Sequence, residues 1–234
     1  AHQGAKLCIA WDDLPGVVDG ISFLRKVNQD EKVDIGKRVA VIGGGNTAVD
    51  AARSSIRLGA DEVDVIYRRT AAEMTAYEEE VGAAGFEGVN IEYLAAPLAL
   101  AEKNGALELT LTRMELGKAD ASGRPRPVPV EGSEYKKQYD HVIAAIGQVP
   151  VGTGSLGVGL AKNDFIQVDS ATLATDKAGV FAGGDVATGP ASIIDAIAQG
   201  RKAAASIDRF LGGSGQIDQA LAPPEQEIMV VDYQ

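Results

Sequence analysis

Gly43, Gly45 and Ala48 stand in the run V-A-V-I-G-G-G-N-T-A-V-D-A-A with the spacing G-x-G-x-x-A. Each position has a steric job in a turn that carries a chain from strand to helix around a pyrophosphate. Gly43 permits the tight turn, Gly45 lets a phosphate approach the backbone, and Ala48 keeps the helix close to the sheet. Gly44 lies inside the turn. Asn46 and Thr47 open the helix, so their backbone N–H groups face a bound anion with the favourable end of the helix dipole. A glycine triplet alone is a weak signal. Here an apolar run precedes it and a helical pattern follows, and dinucleotide binding is the expectation.

About 20 residues on, an NAD-selective site carries an acid for the ribose hydroxyls. This sequence has Tyr67-Arg68-Arg69-Thr70 instead. An acid would repel a 2′-phosphate, whereas guanidinium groups attract it and grip it bidentately. Arg68 and Arg69 therefore point to NADP(H), with the choice between the two arginines left open. A second turn, Gly183-Gly184-Asp185, precedes another helical pattern. Taken alone, Asp185 is as well explained as a turn residue partnering that helix as it is by a ligand.

Other chemistry is disfavoured. Cys8 is the only cysteine, which excludes an internal disulfide, a CxxC pair or a Cys-ligated iron–sulfur cluster within the chain. Its expected role is a small buried apolar residue. His2 and His141 are too few and too isolated for a metal site, so none is expected. A net charge of −11 argues against nucleic acid or an anionic membrane surface as partner. No apolar run is long enough to span a bilayer, and Ala1–Lys6 lacks the regions of a signal peptide; a cytoplasmic location is expected.

The elements that would position these residues follow an α/β grammar. Residues 19–35 read as a short amphipathic helix and a polar connection ending at Gly36. Lys37–Ile42 reads as a strand buried on both faces, Asn46–Leu58 as a helix ended by Gly59, and Asp61–Tyr67 as a second strand. Strand, helix and strand make a right-handed βαβ unit with parallel strands. Residues 71–84 read as an acidic helix and Val89–Leu94 as a strand. Leu107–Leu116 alternates with period two, Val128–Val130 is extended, and His141–Ile146 is another buried strand ending at Gly147. An antiparallel meander is thus expected inside an α/β pattern. Gly179–Ala182 reads as a strand. Ser192–Leu211 reads as a helix with Ile193, Ile197, Ala204, Ile207 and Leu211 on one face.

The blocks GGGNTAVDAAR, YRRTAAEM, HVIAAIGQVP and FAGGDVATGPASIIDAIAQGRKAA together resemble the NADPH-oxidising half of the glutamate synthase small-subunit group. That group lies within the two-dinucleotide-binding-domain flavoprotein superfamily, and the likeness runs over roughly residues 37 to 211. The resemblance implies FAD as second cofactor. Asp185 would bond the ribityl chain, Gly184 would allow close approach, and the helix from Ala191-Ser192 would aim N–H groups at the flavin pyrimidine edge. Gly147 belongs to the same implied set. The activity implied is hydride transfer between NADPH and FAD, with electrons passed to a redox partner subunit or domain, iron–sulfur proteins among the candidates. Such transfer relies on stacking and alignment, so no catalytic side chain is named.

The expected fold is α/β: a Rossmann-like NADP(H)-binding domain with a β-meander at 37–150, inserted in a partial FAD-binding domain made of 1–36 and 151–211, with 212–234 a tail. The family's earlier glycine turn, which holds the ADP half of FAD, has no counterpart before Gly43, so the sequence reads as a fragment, expected to be inactive alone. The reading from a different class is a non-catalytic NADP(H)-binding or interaction module.

Overall fold

In a computed structural model the residues described are 2–4, 14–119 and 123–217. They fall into two units, 1–149 and 150–234. Cys8 and most of the expected tail lie outside the described residues.

In the first unit the elements run β1 (His2–Gly4), β2 (Val17–Asp19), α1 (Gly20–Asn28), β3 (Arg38–Ile42), α2 (Asn46–Arg57), β4 (Glu62–Tyr67), α3 (Glu78–Phe86) and β5 (Asn90–Tyr93). They continue with β6 (Ala95–Lys103), β7 (Ala106–Ala119), β8 (Pro125–Pro129), β9 (Tyr135–Tyr139), β10 (His141–Ala144) and β11 (Gln148–Pro150). Five strands make a parallel sheet in the order β2-β10-β3-β4-β5, while β6, β7, β8 and β9 form the antiparallel meander.

The continuous apolar run of β3 has its cause here, because strand alternation sends its residues to two different cores. Val39 and Val41 join Phe23, Val49, Ala52 and Val63 on the helix side; Ala40 and Ile42 join Leu107, Leu109, Leu111 and Tyr139 on the meander side. The parallel sheet is the middle of three layers.

A buried ionic node fixes the outer layer. Asp64 of β4, 2% exposed, accepts bonds from Asn90 Nδ2 (2.7 Å), Lys137 Nζ (2.8 Å) and Tyr139 Oη (2.6 Å). Burial pushes its carboxyl pKa up, but these three donors and the Lys137 charge outweigh it and hold the carboxyl below its ordinary range. Glu92 of β5 extends the node to Tyr135 and Arg113, whose guanidinium lies 4.6 Å over the Tyr135 ring.

Two expectations change. Residues 14–36, assigned above to the flavin-binding part, supply β2 and α1 to the sheet that holds the glycine turn. The acidic helix expected over 71–84 is a single 3-10 turn at Ala71–Glu73 followed by α3, because the stretch between them folds back onto the turn at Gly44.

The second unit has few regular elements: α4 (Asp185–Thr188) and α5 (Ile193–Phe210), with isolated bridges Leu160–Ile166 and Ala174–Phe181. The strand expected at 179–182 is reduced to the latter bridge. The apolar face expected on α5 is present but uncovered in this chain: Ile193 is 79% exposed, Ile197 54% and Leu211 77%. Among the described residues no helix is long and apolar enough to cross a membrane.

Candidate functional site: two glycine turns

The first turn joins β3 to α2. Gly43 has φ +148, and a Cβ there would lie 2.2 Å from the Ala145 carbonyl oxygen, so neither the backbone nor the space admits another residue. Gly44 is excluded differently, since its Cβ would meet the Tyr67 ring at 2.3 Å. Gly45 is the exception. Its φ of −100 suits any residue, and the nearest atom to a Cβ would be Thr75 Oγ1 at 3.4 Å. The protein's own packing thus explains two of the three glycines and leaves the third without a steric reason to be glycine. Ala48, fully buried, completes the close approach of α2 to the sheet.

Gly45 is the N-cap of α2, with no side-chain cap bond and no acid in the helix's first turn. A helix start so arranged leaves backbone donors and a positive dipole end for an anion. The surrounding loop is fixed from three sides. Thr75 N and Ala76 N both donate to the Gly44 carbonyl at 3.1 Å; Tyr77 N donates to Asn46 Oδ1 at 2.9 Å; Tyr67 Oη donates to the Glu73 carbonyl at 2.6 Å. The Asn46 side chain therefore holds the loop. Thr70 and Glu73 close a capping box, and the Thr70 hydroxyl holds the Glu73 carboxyl below its usual range. Sequence reading missed this clamp because its bonds to Gly44 and Asn46 reach across more than 30 residues of chain, such as the 31 between Asn46 and Tyr77.

The two arginines after β4 separate. Arg68 is exposed, whereas Arg69 is 5% exposed and its Nε donates to the Pro125 carbonyl at 2.9 Å. Arg69 is committed to the meander, which leaves Arg68 as the member of the pair on the surface. Gly147, at φ +125 with nothing near a Cβ, is a glycine for its backbone conformation.

The second turn lies in the other unit. Gly184 has φ +71 and ψ −159, a region that only glycine occupies readily, and its N–H donates to Gln199 Oε1 at 2.7 Å. Asp185 Oδ1 accepts the Ala191 N–H at 3.2 Å. Ser192 is the N-cap of α5 and forms a capping box with Asp195, receiving the Asp195 N–H at 3.1 Å. The donors expected to face a ligand at Ala191-Ser192 are thus used internally. A groove of about 420 Å³ is lined by Thr188, Ala191, Asp195, Ala198, Gln199 and Lys202; its α5 residues were not anticipated.

Residues 4–200 match the family model described as pyridine nucleotide-disulphide oxidoreductase. The NADP(+)-dependent formate dehydrogenase subunit beta of Moorella thermoacetica is 46% identical over 217 residues, 90% of this chain and 30% of that protein. The glutamate synthase [NADPH] small chain of Azospirillum brasilense is 36% identical over 191 residues, 80% of this chain and 40% of that one. The chain therefore spans well under half of these relatives. Mycobacterium tuberculosis FprA in complex with NADPH superposes with a TM-score of 0.73 at 18% identity, covering 89% of this chain and 61% of FprA. Thioredoxin reductase of T. acidophilum gives 0.64 at 21%, covering 90% and 63%. At such identities the two structures speak to fold alone.

Proposed function

Because the chain belongs to the pyridine nucleotide-disulphide oxidoreductase family, we propose that its first unit binds NADP(H) and that the whole protein exchanges a hydride between NADP(H) and FAD, delivering electrons to a redox partner subunit. The observation that carries this reading is the contrast among Gly43, Gly44 and Gly45. Only at Gly45 is the missing side chain unexplained by the protein, and that position opens onto an uncapped helix start. A pyrophosphate fits both features.

In this reading the N–H groups of Asn46 and Thr47 hold the pyrophosphate, and the side chain of Asn46 keeps loop 70–77 against the turn. Arg68 meets the 2′-phosphate. In the second unit Gly184, Asp185 and the 185–202 groove receive the flavin, with Gly147 in the connection before it. The bound nicotinamide and flavin supply the redox chemistry; the residues here orient them, and none is assigned as acid or base. The chain's single cysteine gives this segment no dithiol centre. The relatives with subunit names, among them a formate dehydrogenase beta subunit and an NADPH-Fe(3+) oxidoreductase beta subunit of Geobacter sulfurreducens, support a partner that receives the electrons.

Gly45→Val tests the reading directly. A Cβ there makes only an ordinary contact, with Thr75 Oγ1 at 3.4 Å, and the backbone suits any residue, so far-UV circular dichroism and the thermal midpoint should stay close to wild type. NADPH affinity should fall at least about 100-fold, because the isopropyl group occupies the approach path of the phosphates. Undiminished NADPH binding by a folded Gly45→Val chain would place the nucleotide elsewhere.

A further inference from the structure

We infer that the far half of the meander forms a second wall of the 2′-phosphate site, with Arg124 and Arg126 as its cations and Arg69 as the residue that positions them. The inference rests on the NADP(H) reading above and deepens it.

Ligands of open α/β sheets sit outside the carboxyl ends of the strands. Here β4 and β5 end side by side, with Tyr67 in register with Tyr93. At that end Leu94 N donates to the Arg69 carbonyl, and Met114 N donates to the Leu94 carbonyl at 2.8 Å. The first half of β7 packs back along the sheet, with Leu107 paired to Tyr139 near the Asp64 node. From Met114 onward β7 pairs with β8 as a two-stranded ribbon. The ribbon therefore continues past the edge where the dinucleotide turn opens.

β8 is the edge strand of its sheet, with one side unpaired to any strand. Arg69 Nε donates to the Pro125 carbonyl of that strand at 2.9 Å. This bond ties the end of β4 to one defined point of the ribbon, 56 residues away in sequence. Arg124 and Arg126 flank that point in sequence, Arg126 within β8 and Arg124 in the bend just before it. Both are exposed, as is Arg68, the covalent neighbour of Arg69. Three exposed guanidinium groups thus belong to residues adjacent in sequence to the two partners of one hydrogen bond, in a chain whose net charge is −11. A phosphomonoester carrying close to two negative charges is the ligand such a cluster favours, and each planar guanidinium can grip it bidentately. In this arrangement Arg69 sets the distance between Arg68 and the ribbon and does not itself touch the phosphate.

Calorimetric titration of the chain with NADPH and NADH is the test, on wild type, Arg124→Gln/Arg126→Gln and Arg69→Met. Wild type should prefer NADPH. The surface pair should lose about tenfold in NADPH affinity, the scale of two partly screened charge-assisted contacts, while NADH binding stays within about twofold. Arg69→Met should lose the same preference and also lower the thermal midpoint. Since that variant can also be merely unstable, the exposed pair decides. Preserved selectivity in the pair, or an equal loss for NADH, overturns the inference and leaves the NADP(H) reading standing. A wild type without preference for NADPH removes that reading and this inference together.

Discussion

The two glycine turns make opposite use of the same grammar. At Gly43–Ala48 the protein blocks two Cβ directions with its own backbone and an aromatic ring, then leaves the third open beside a helix start with no cap and no acid. At Gly183–Ser192 the start of the helix supplies its own partners: Asp185 accepts from Ala191, and Ser192 and Asp195 cap α5 between themselves, with a carboxylate in the first turn. A helix N-terminus that supplies its own anion has less to offer a ligand. The first turn keeps an uncapped helix start beside an unobstructed glycine; the second is followed by a helix whose apolar face is exposed. Possession of a glycine turn before a helix is therefore a poor guide to binding unless the capping atoms are known.

The comparison predicts unequal tolerance to substitution. Gly43→Ala drives a methyl into the Ala145 carbonyl and should cost more than about 4 kcal/mol, read by urea unfolding followed in the far ultraviolet. Gly184→Ala adds a methyl whose nearest neighbour is Ala196 Cβ at 3.8 Å, so only backbone strain of about 1–3 kcal/mol is expected. Equal costs would break the distinction. A second test asks which turn is sufficient. After incubation with FAD and desalting, the 234-residue chain should keep under about a tenth of an equivalent of flavin, since the Ala191 and Ser192 N–H groups of its second turn are internally used and α5 starts with its own carboxylate. A visible band near one equivalent would show the second site to be complete.

The smallest effect concerns the support of α2. Arg53 and Arg57 on that helix converge on Glu87 after α3, and the bond from Arg53 above all holds the Glu87 carboxyl at about 2. A folded-state value below the ordinary 4.5 stabilises the fold above that pH, and the contribution disappears as pH falls from about 4.5 to about 2. Glu87→Gln should therefore be less stable than wild type at pH 7, with the two converging on acidification. A gap that persists at pH 2 would mean the cost is packing, not charge.

Local chemistry was legible in the sequence and distant chemistry was not. The strands and helix around Gly43 came out within a residue or two because apolar period and glycine position act over short stretches: α2 ends at Arg57 where Gly59 stops it, and β4 ends at Tyr67 as expected. The meander was legible from alternation in β7, although β6 and β9 carried no distinct signal of their own. What failed depended on partners far along the chain. Nothing local says that Arg69 turns inward to Pro125, that Asn46 holds Tyr77, or that the helical pattern after Thr70 yields to bonds that Thr75 and Ala76 donate to the Gly44 carbonyl. The face of α5 was read correctly as apolar, but periodicity cannot tell whether anything in the same chain covers it.

The place of β10 bears on how the chain folds. It hydrogen-bonds β2 on one side and β3 on the other, yet it is synthesised after the whole meander. Until it arrives, β2 has no partner strand in this sheet and β3 presents a bare edge, the kind of surface that recruits foreign strands. The first unit should thus assemble β3, β4 and β5 early through local helical crossovers and close last through a strand whose contacts span about a hundred residues of chain, such as Lys37 N and Arg38 N donating to Asp140 Oδ2. A nascent chain halted before His141 would expose that seam, so the meander delays the moment at which the first glycine turn, braced by the Ala145 carbonyl beyond β10, can take its final shape.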